Sequence, residues 1–345
     1  MLSPQPLAPS PAYVSRVYLS YSTLLTFIRC PRKYFYQKSG IYPREESNAL
    51  LYGTAMHKAV ALASEGNFAA ALAAFNSVWT EEVDATQSDP KRSRARAHQQ
   101  LSHFCHTHRD GRSIYRMQPP PATSLLRTSD RSPYEIEFVI DVGLPVPIYG
   151  FLDGWCQHRD TGEYYAYEFK SSSRLNASLF DGLDFNPQIL TYALVCRTMV
   201  EQPIKGVMFE AMLIDAKKVD NMAHPVPVQN FQVDAIHLWL RYWGELLLAC
   251  EAEYAELLTV YGIEEVRAQM RKESFVPSLD PSQAFPKNFA GCTAYPLFYQ
   301  SGSACEYMNL CRVAEWRNML PFYEVHPEEP KVSLTHETKP VKVQT

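Results

Sequence analysis

The sequence predicts a mixed α/β fold with a central mixed β-sheet flanked by helices, and three observations carry this. Residues 135–142 alternate polar and apolar, with Ile136, Phe138, Ile140 and Val142 on one side, the pattern of a half-buried strand. Residues 148–173 hold two apolar, aromatic-rich runs, I-Y-G-F-L-D-G-W-C and Y-Y-A-Y-E-F-K-S-S, with a polar turn between them, which reads as two adjacent strands. Phe185-Asn186-Pro187-Gln188 then opens a helix, with Asn186 at the cap and Pro187 at the first position, before the apolar run Ile204–Ile214 supplies another strand. The order strand, strand, strand, helix, strand is that of a mixed α/β core.

The flanking elements follow from punctuation. Residues 1–16 are rich in Pro and Ser and are expected to form a disordered tail. Ser20 and Ser22 are candidate N-caps for a helix carrying Leu24, Leu25 and Ile28. Cys30-Pro31 interrupts that helix, because proline lacks the N–H the ladder needs, and Pro31 opens the next turn. Residues 50–63 read as a helix on which Gly53 and His57 share a face, and residues 67–83 as an alanine-rich helix. The run K-R-S-R-A-R in residues 91–96 reads either as a solvated helix face or loop, or as a phosphate-contacting patch through Arg92, Arg94 and Arg96. Residues 112–133 form a Pro- and Ser-rich connection. Residues 232–258 form a long amphipathic helix with Trp239, Leu240 and Trp243, residues 264–272 another helix, and residues 275–290 a loop. Together this predicts one domain over 17–322, with a helical insertion at about 64–130, and a second disordered tail over 323–345.

The 345 residues are 46% hydrophobic, enough for a sizeable core. Lys and Arg number 33 against 37 Asp and Glu, a formal charge of -4, which excludes a histone-like binder but leaves room for a local basic groove. No apolar run approaches the roughly 20 residues of a membrane span, and the N-terminus lacks a signal-peptide pattern. The expected location is therefore intracellular, in the cytoplasm. Eight cysteines in such a chain read as thiols or metal ligands rather than a disulfide framework. The P-loop pattern of a nucleotide-driven motor is absent.

Chemistry concentrates in residues 148–173. Strand alternation puts Glu168 and Lys170 on one face and Phe169 on the other, and strand pairing brings Asp153 beside Glu168. The bland reading is a surface ion pair at a strand end. The sharper reading is a divalent-metal site with a cation beside it. Asp153 lies in an apolar strand, where an unpaired carboxylate is costly, and Gly150 and Gly154 flank it. Gln188 and Tyr192, one helical turn apart, follow on the next helix. Phosphodiester hydrolysis asks for these residue types. A hard ion such as Mg²⁺ or Mn²⁺ takes carboxylate oxygens and keeps several waters, it acidifies a bound water, and a lysine beside it neutralises developing charge.

Four motifs occur in a fixed order: G-x-x-x-H (Gly53 to His57), G-x-x-D (Gly150 to Asp153), E-x-K (Glu168 to Lys170) and Q-x-x-x-Y (Gln188 to Tyr192). The set resembles the PD-(D/E)xK nuclease superfamily over roughly Tyr18 to Arg312. Within it the chain looks most like the RecB-type branch, which includes AddB nuclease domains and CRISPR adaptation exonucleases. The resemblance implies a restriction-endonuclease-like core in which His57, Asp153, Glu168 and the Phe169 carbonyl hold the metal. It makes Lys170 the catalytic lysine and has Gln188 and Tyr192 position the DNA backbone and the lysine. Glu137 matches a glutamate often seen one strand earlier in this branch. The implied activity is that of a Mg²⁺/Mn²⁺-dependent deoxyribonuclease, an exonuclease on single-stranded DNA or duplex ends in DNA recombination or repair. The alternatives are a structure-specific or nicking endonuclease and a non-catalytic DNA-binding scaffold subunit of the same fold. A helicase or recombination partner is implied by family analogy alone.

The C-terminal cysteines are spaced Cys292-x12-Cys305-x5-Cys311, with no close C-x-x-C pair of the zinc-ribbon kind. In the RecB-type branch one cysteine before the nuclease core joins three after it around a 4Fe-4S cluster. The resemblance therefore implies that Cys30, Cys292, Cys305 and Cys311 each give it one thiolate, clasping residue 30 to 292–311. Zn²⁺ in the same four-thiolate site, or plain buried thiols, are the competing readings. Cys105, Cys156, Cys196 and Cys250 have no such pattern and read as core residues.

Overall fold

Cap and proline chemistry set the boundaries of the elements. The computed structural model describes residues 18–38, 41–43, 48–128, 132–261, 323–325 and 341–342. Its helices are α1 (Tyr21–Arg29), α2 (Pro31–Lys38), α3 (Asn48–Ser64), α4 (Phe68–Asn76), α5 (Glu81–Thr86), α6 (Arg94–Arg109), α7 (Ala177–Phe180), α8 (Pro187–Met199) and α9 (Asn230–Tyr261). Its strands are β1 (Leu19–Ser20), β2 (Ile41–Pro43), β3 (Tyr115–Met117), β4 (Tyr134–Asp141), β5 (Ile148–His158), β6 (Tyr164–Ser172), β7 (Gly206–Leu213), β8 (Asn221–Pro227), β9 (Tyr323–Val325) and β10 (Val341–Lys342). The expected tail at 1–16, helix at 264–272, loop at 275–290 and cysteines Cys292, Cys305 and Cys311 lie outside the described residues. The region expected to be a C-terminal tail contributes β9, paired antiparallel with β2, and β10, beside β4. Among the described residues no helix is long and apolar enough to cross a membrane.

The chain divides into two units: Met1–Glu45, Asp141–Tyr149 and Trp239–Pro340 form one; Glu46–Ile140, Gly150–Leu238 and Val341–Thr345 form the other. In the first, α1 stops where the sequence predicts. Cys30 is extended (φ −162°, ψ 110°), the conformation favoured before proline. Ser20 occupies the cap of α1, but its hydroxyl meets Ser22 Oγ at 2.8 Å rather than a backbone N–H. Phe27 of α1 packs edge to face on Tyr34 of α2, with ring centroids 5.7 Å apart. The buried carboxylate of Glu251, on α9, accepts from Tyr34 and from Lys38 Nζ at 2.7 Å.

The second unit carries the sheet path β10-β4-β5-β6-β7-β8, with β3 paired antiparallel with β5. β5 and β6 form the predicted antiparallel pair, with register from Gly154↔Tyr167 to Gln157↔Tyr164. β6 and β7 are parallel, which requires a crossover, and α8 supplies it. Asn186 caps α8 by accepting from the Gln188 and Ile189 N–H groups, with Pro187 in the first turn. Strand alternation then divides the side chains of β6. Tyr165, Tyr167 and Phe169 enter a core with Tyr52, Met56 and Val60 of α3 and Leu101 and Phe104 of α6, while Glu168 meets Gln188 of α8. Gly53 lets α3 lie close to the end of β6, since a methyl group there would sit 3.3 Å from Ser171 Oγ.

The structure also differs from the sequence expectation elsewhere: β3 falls within the expected connection at 112–133. The helix expected over 67–83 is two helices, because Thr80 starts a new one by accepting from the Val83 N–H. α6 begins inside the basic run, with Ser93 as its N-cap. β8 pairs antiparallel with β7 despite Pro225 and Pro227, which an edge strand tolerates because one row of its N–H groups needs no partner.

Candidate active site

The candidate site forms just past the point where the β5–β6 register ends. Asp153 lies one residue beyond Gly154 and Phe169 two beyond Tyr167, and the Phe169 N–H donates to Asp153 Oδ2 at 3.0 Å. The same oxygen lies 2.9 Å from His57 Nε2, which α3 delivers four residues after Gly53. Asp153 Oδ1 accepts from Tyr192 Oη at 3.1 Å. On β6, Glu168 is buried and accepts from Gln188 Nε2 at 3.1 Å, and that amide also reaches Tyr192 Oη at 3.3 Å. Glu168 Oε1 faces the Lys170 ammonium as an ion pair. The Lys170 side chain is 47% exposed, against 1% for Glu168, so the cation stands at the mouth of the site and the carboxylate at its floor. The structure thus brings together the six polar side chains of the sequence motifs: His57, Asp153, Glu168, Lys170, Gln188 and Tyr192.

The electrostatics follow from two carboxylates sharing one small volume. Burial, and then the charge of Asp153, push the Glu168 carboxyl up to about 8, against the pull of Lys170. Burial alone would raise Asp153 as well, but the charge and hydrogen bond of His57, Lys170 and the Phe169 N–H hold it far below the usual carboxylate range. Burial opposes protonation of His57, yet Asp153 overcomes it and keeps the imidazole above its ordinary value.

Glu135 also borders the site, and nothing in its sequence pattern singles it out. Its Oε1 lies 3.6 Å from His57 Nδ1, the ring nitrogen turned away from Asp153. Its backbone has φ 50°, which makes it the only described non-glycine residue with positive φ, a conformation that costs about 1–3 kcal/mol. Glu137, the residue matched by resemblance, is two positions on. Its backbone pairs with Arg127, and its Oε1 is buried without a hydrogen bond.

The basic run takes partners within its own unit. Arg96 is buried, and its guanidinium donates to the carbonyls of Asp215 (2.9 Å) and Lys218. One turn along α6, Gln100 donates to the Leu213 carbonyl at 3.0 Å, so α6 braces the β7–β8 turn. Arg94 reaches Asn76 at 3.0 Å and Glu81 at 2.7 Å, and Arg92 pairs with Asp89. Arg92 and Arg94 keep 23% and 31% of their side chains exposed, whereas Arg96 faces inward. Cys30 is buried in the first unit, and Cys105, Cys156, Cys196 and Cys250 are buried free thiols.

The family model for the PD-(D/E)XK nuclease superfamily matches residues 18–312. The chain belongs to the PD-(D/E)XK nuclease superfamily. No curated protein matches it. Membership indicates a PD-(D/E)XK nuclease, a hydrolase of phosphodiester bonds whose substrate class is DNA, and such nucleases typically use divalent metals. The mixed sheet flanked by helices is consistent with the restriction-endonuclease-like fold of PD-(D/E)XK proteins.

The two carboxylates and a backbone carbonyl at Phe169 are of the oxygen type that a hard divalent ion takes, and the imidazole beside them suits a transition ion. A buried carboxyl whose pKa is raised by burial and by a second carboxylate is what a cation would relieve. Among the described residues no three of His, Cys, Asp and Glu converge on a common point. Asp153 instead pairs with His57, and Glu168 with Lys170.

Proposed function

We propose that this chain is a Mg²⁺- or Mn²⁺-dependent exodeoxyribonuclease that works from single-stranded or duplex DNA ends, in recombination or repair. The observation that carries the reading is the meeting of Asp153, Glu168 and Lys170 at one strand end, with His57 against Asp153. His57, Asp153, Glu168 and the Phe169 carbonyl would hold the ion, which when bound acidifies water and shields phosphate charge. Lys170 presents its ammonium to a non-bridging phosphate oxygen, where charge builds as water adds to phosphorus and the leaving oxygen departs. Tyr192 and Gln188 hold the two carboxylates in place by donating to Asp153 Oδ1 and Glu168 Oε2. Purified protein supplied with Mn²⁺ is expected to degrade linear DNA, to stop on chelation and to leave circular single strands whole. Cleaved circles would favour the endonuclease reading. Wild-type protein inert on every substrate with either metal would favour a scaffold.

The same family reading assigns Cys30, Cys292, Cys305 and Cys311 to a 4Fe-4S cluster, with Zn²⁺ as the competitor. Protein purified without oxygen is then expected to be brown, to contain iron and acid-labile sulfide, and to bleach on reduction. A colourless zinc protein would sink the cluster and keep the four-thiolate site.

A further inference from the structure

We infer that Glu135 is a positioning residue, whose carboxylate takes the Nδ1 side of His57 and so commits the Nε2 side to the metal. The inference rests on the metal-site reading above and adds to it a group that the motif series does not contain.

The first observation is the two-sided environment of the imidazole. Nε2 lies 2.9 Å from Asp153 Oδ2, and Nδ1 lies 3.6 Å from Glu135 Oε1. A histidine ligand needs its second ring nitrogen oriented, and at 3.6 Å the Glu135 carboxylate stands within ion-pair range of that nitrogen. The Phe169 ring packs near the imidazole, with centroids 5.9 Å apart, but an aromatic ring does not choose between two nitrogens.

The second observation is independent and concerns the backbone. In a regular strand, consecutive side chains point to opposite faces. Tyr134 and Glu135 are consecutive, yet both meet α3: the Tyr134 hydroxyl bonds Ser64 Oγ, and Glu135 faces His57. The left-handed φ of 50° at Glu135 interrupts the alternation and turns both side chains toward one helix. Glycine would adopt that conformation without strain. A glutamate that is 65% exposed, and so adds little to the core, occupies it instead. Stability alone would favour glycine here, whereas a role for the carboxylate accounts for the strain.

The test separates those two explanations by measuring melting temperature and Mn²⁺ affinity on the same proteins, with affinity read by titration calorimetry and by the paramagnetic resonance of free Mn²⁺. Glu135→Gly is expected to melt above wild type and to bind Mn²⁺ about 10- to 100-fold more weakly. Glu135→Ala, which keeps the strain, should lose affinity without the gain in melting temperature. Glu135→Gln, which keeps an acceptor oxygen, should recover most of the affinity. If the Gly protein folds poorly, the Ala and Gln pair carries the same comparison. Wild-type affinity in the Gly and Ala variants overturns the role of Glu135 and leaves the metal site standing. A wild-type protein that takes up no Mn²⁺ overturns both.

Discussion

Replacing Lys170 with alanine is expected to slow phosphodiester cleavage by about 10²- to 10³-fold while leaving the fold intact. That factor is typical of removing one preorganised group that meets developing charge. The asymmetry of the Lys170–Glu168 pair explains why the effect should fall on rate. Lys170 is about half exposed, so its removal leaves little cavity. Glu168 is the buried partner, and its carboxyl, already pushed up to about 8, can take a proton when the ammonium is gone. The variant should therefore melt close to wild type and bind DNA with similar affinity, yet show slow single-turnover cleavage of a linear substrate. Wild-type rates in that assay would remove Lys170 from the chemistry. A large fall in melting temperature would instead make it a structural cation.

Replacing Glu210 with glutamine is expected to lower the unfolding free energy by about 1–3 kcal/mol at neutral pH, the cost of mismatching a buried hydrogen-bonded acceptor. Glu210 is buried on β7 and accepts from Tyr115, from Tyr167 at 2.8 Å and from Asn221 at 2.7 Å, with His108 Nε2 at 3.7 Å. Glutamine turns an amide N–H₂ toward groups that are themselves donors. Burial by itself would raise the Glu210 carboxyl, but the His108 hydrogen bond and charge, with the two tyrosine hydroxyls, hold it below its ordinary value. A depressed folded pKa fixes the sign. The contribution is fully present above the ordinary glutamate value of about 4.3 and is lost as pH falls through the lower folded value. Urea unfolding across an acid series should therefore show wild type and variant converging at low pH. A gap that stays constant into strong acid would mean that the charge contributes nothing.

What the sequence made legible was whatever has a period or a cap. Ile136, Phe138 and Ile140 marked β4, the two aromatic runs marked β5 and β6, and Asn186-Pro187 marked the start of α8. The four motifs fall on elements that the sheet register and the α8 crossover draw together, so their order along the chain was informative about space. β8 was hidden because N-M-A-H-P-V-P carries the prolines of a loop, and only an edge position makes it a strand. α6 was hidden because its first turn is basic. Yet Arg96 and Gln100 are inward-facing braces whose acceptors, the carbonyls of Asp215, Lys218 and Leu213, lie more than a hundred residues away. Glu135 was not legible at all. A positive φ in a non-glycine residue leaves no trace in composition or spacing, and strict alternation pointed to its neighbours instead.

One contact at the site bears on how any inactive control should be built. The Asp153 carboxylate is a rung of the sheet as well as a ligand candidate, since it accepts the Phe169 N–H just past the last β5–β6 register pair. Truncating Asp153 to alanine removes a charge from the chemistry and also strands a backbone donor of the next strand, beside the imidazole of His57. Lost cleavage in such a protein conflates a missing ligand with a slipped hairpin. Asparagine at 153 keeps an oxygen for the Phe169 amide and separates the two, which makes it the sounder reference for every comparison of dead and living enzyme.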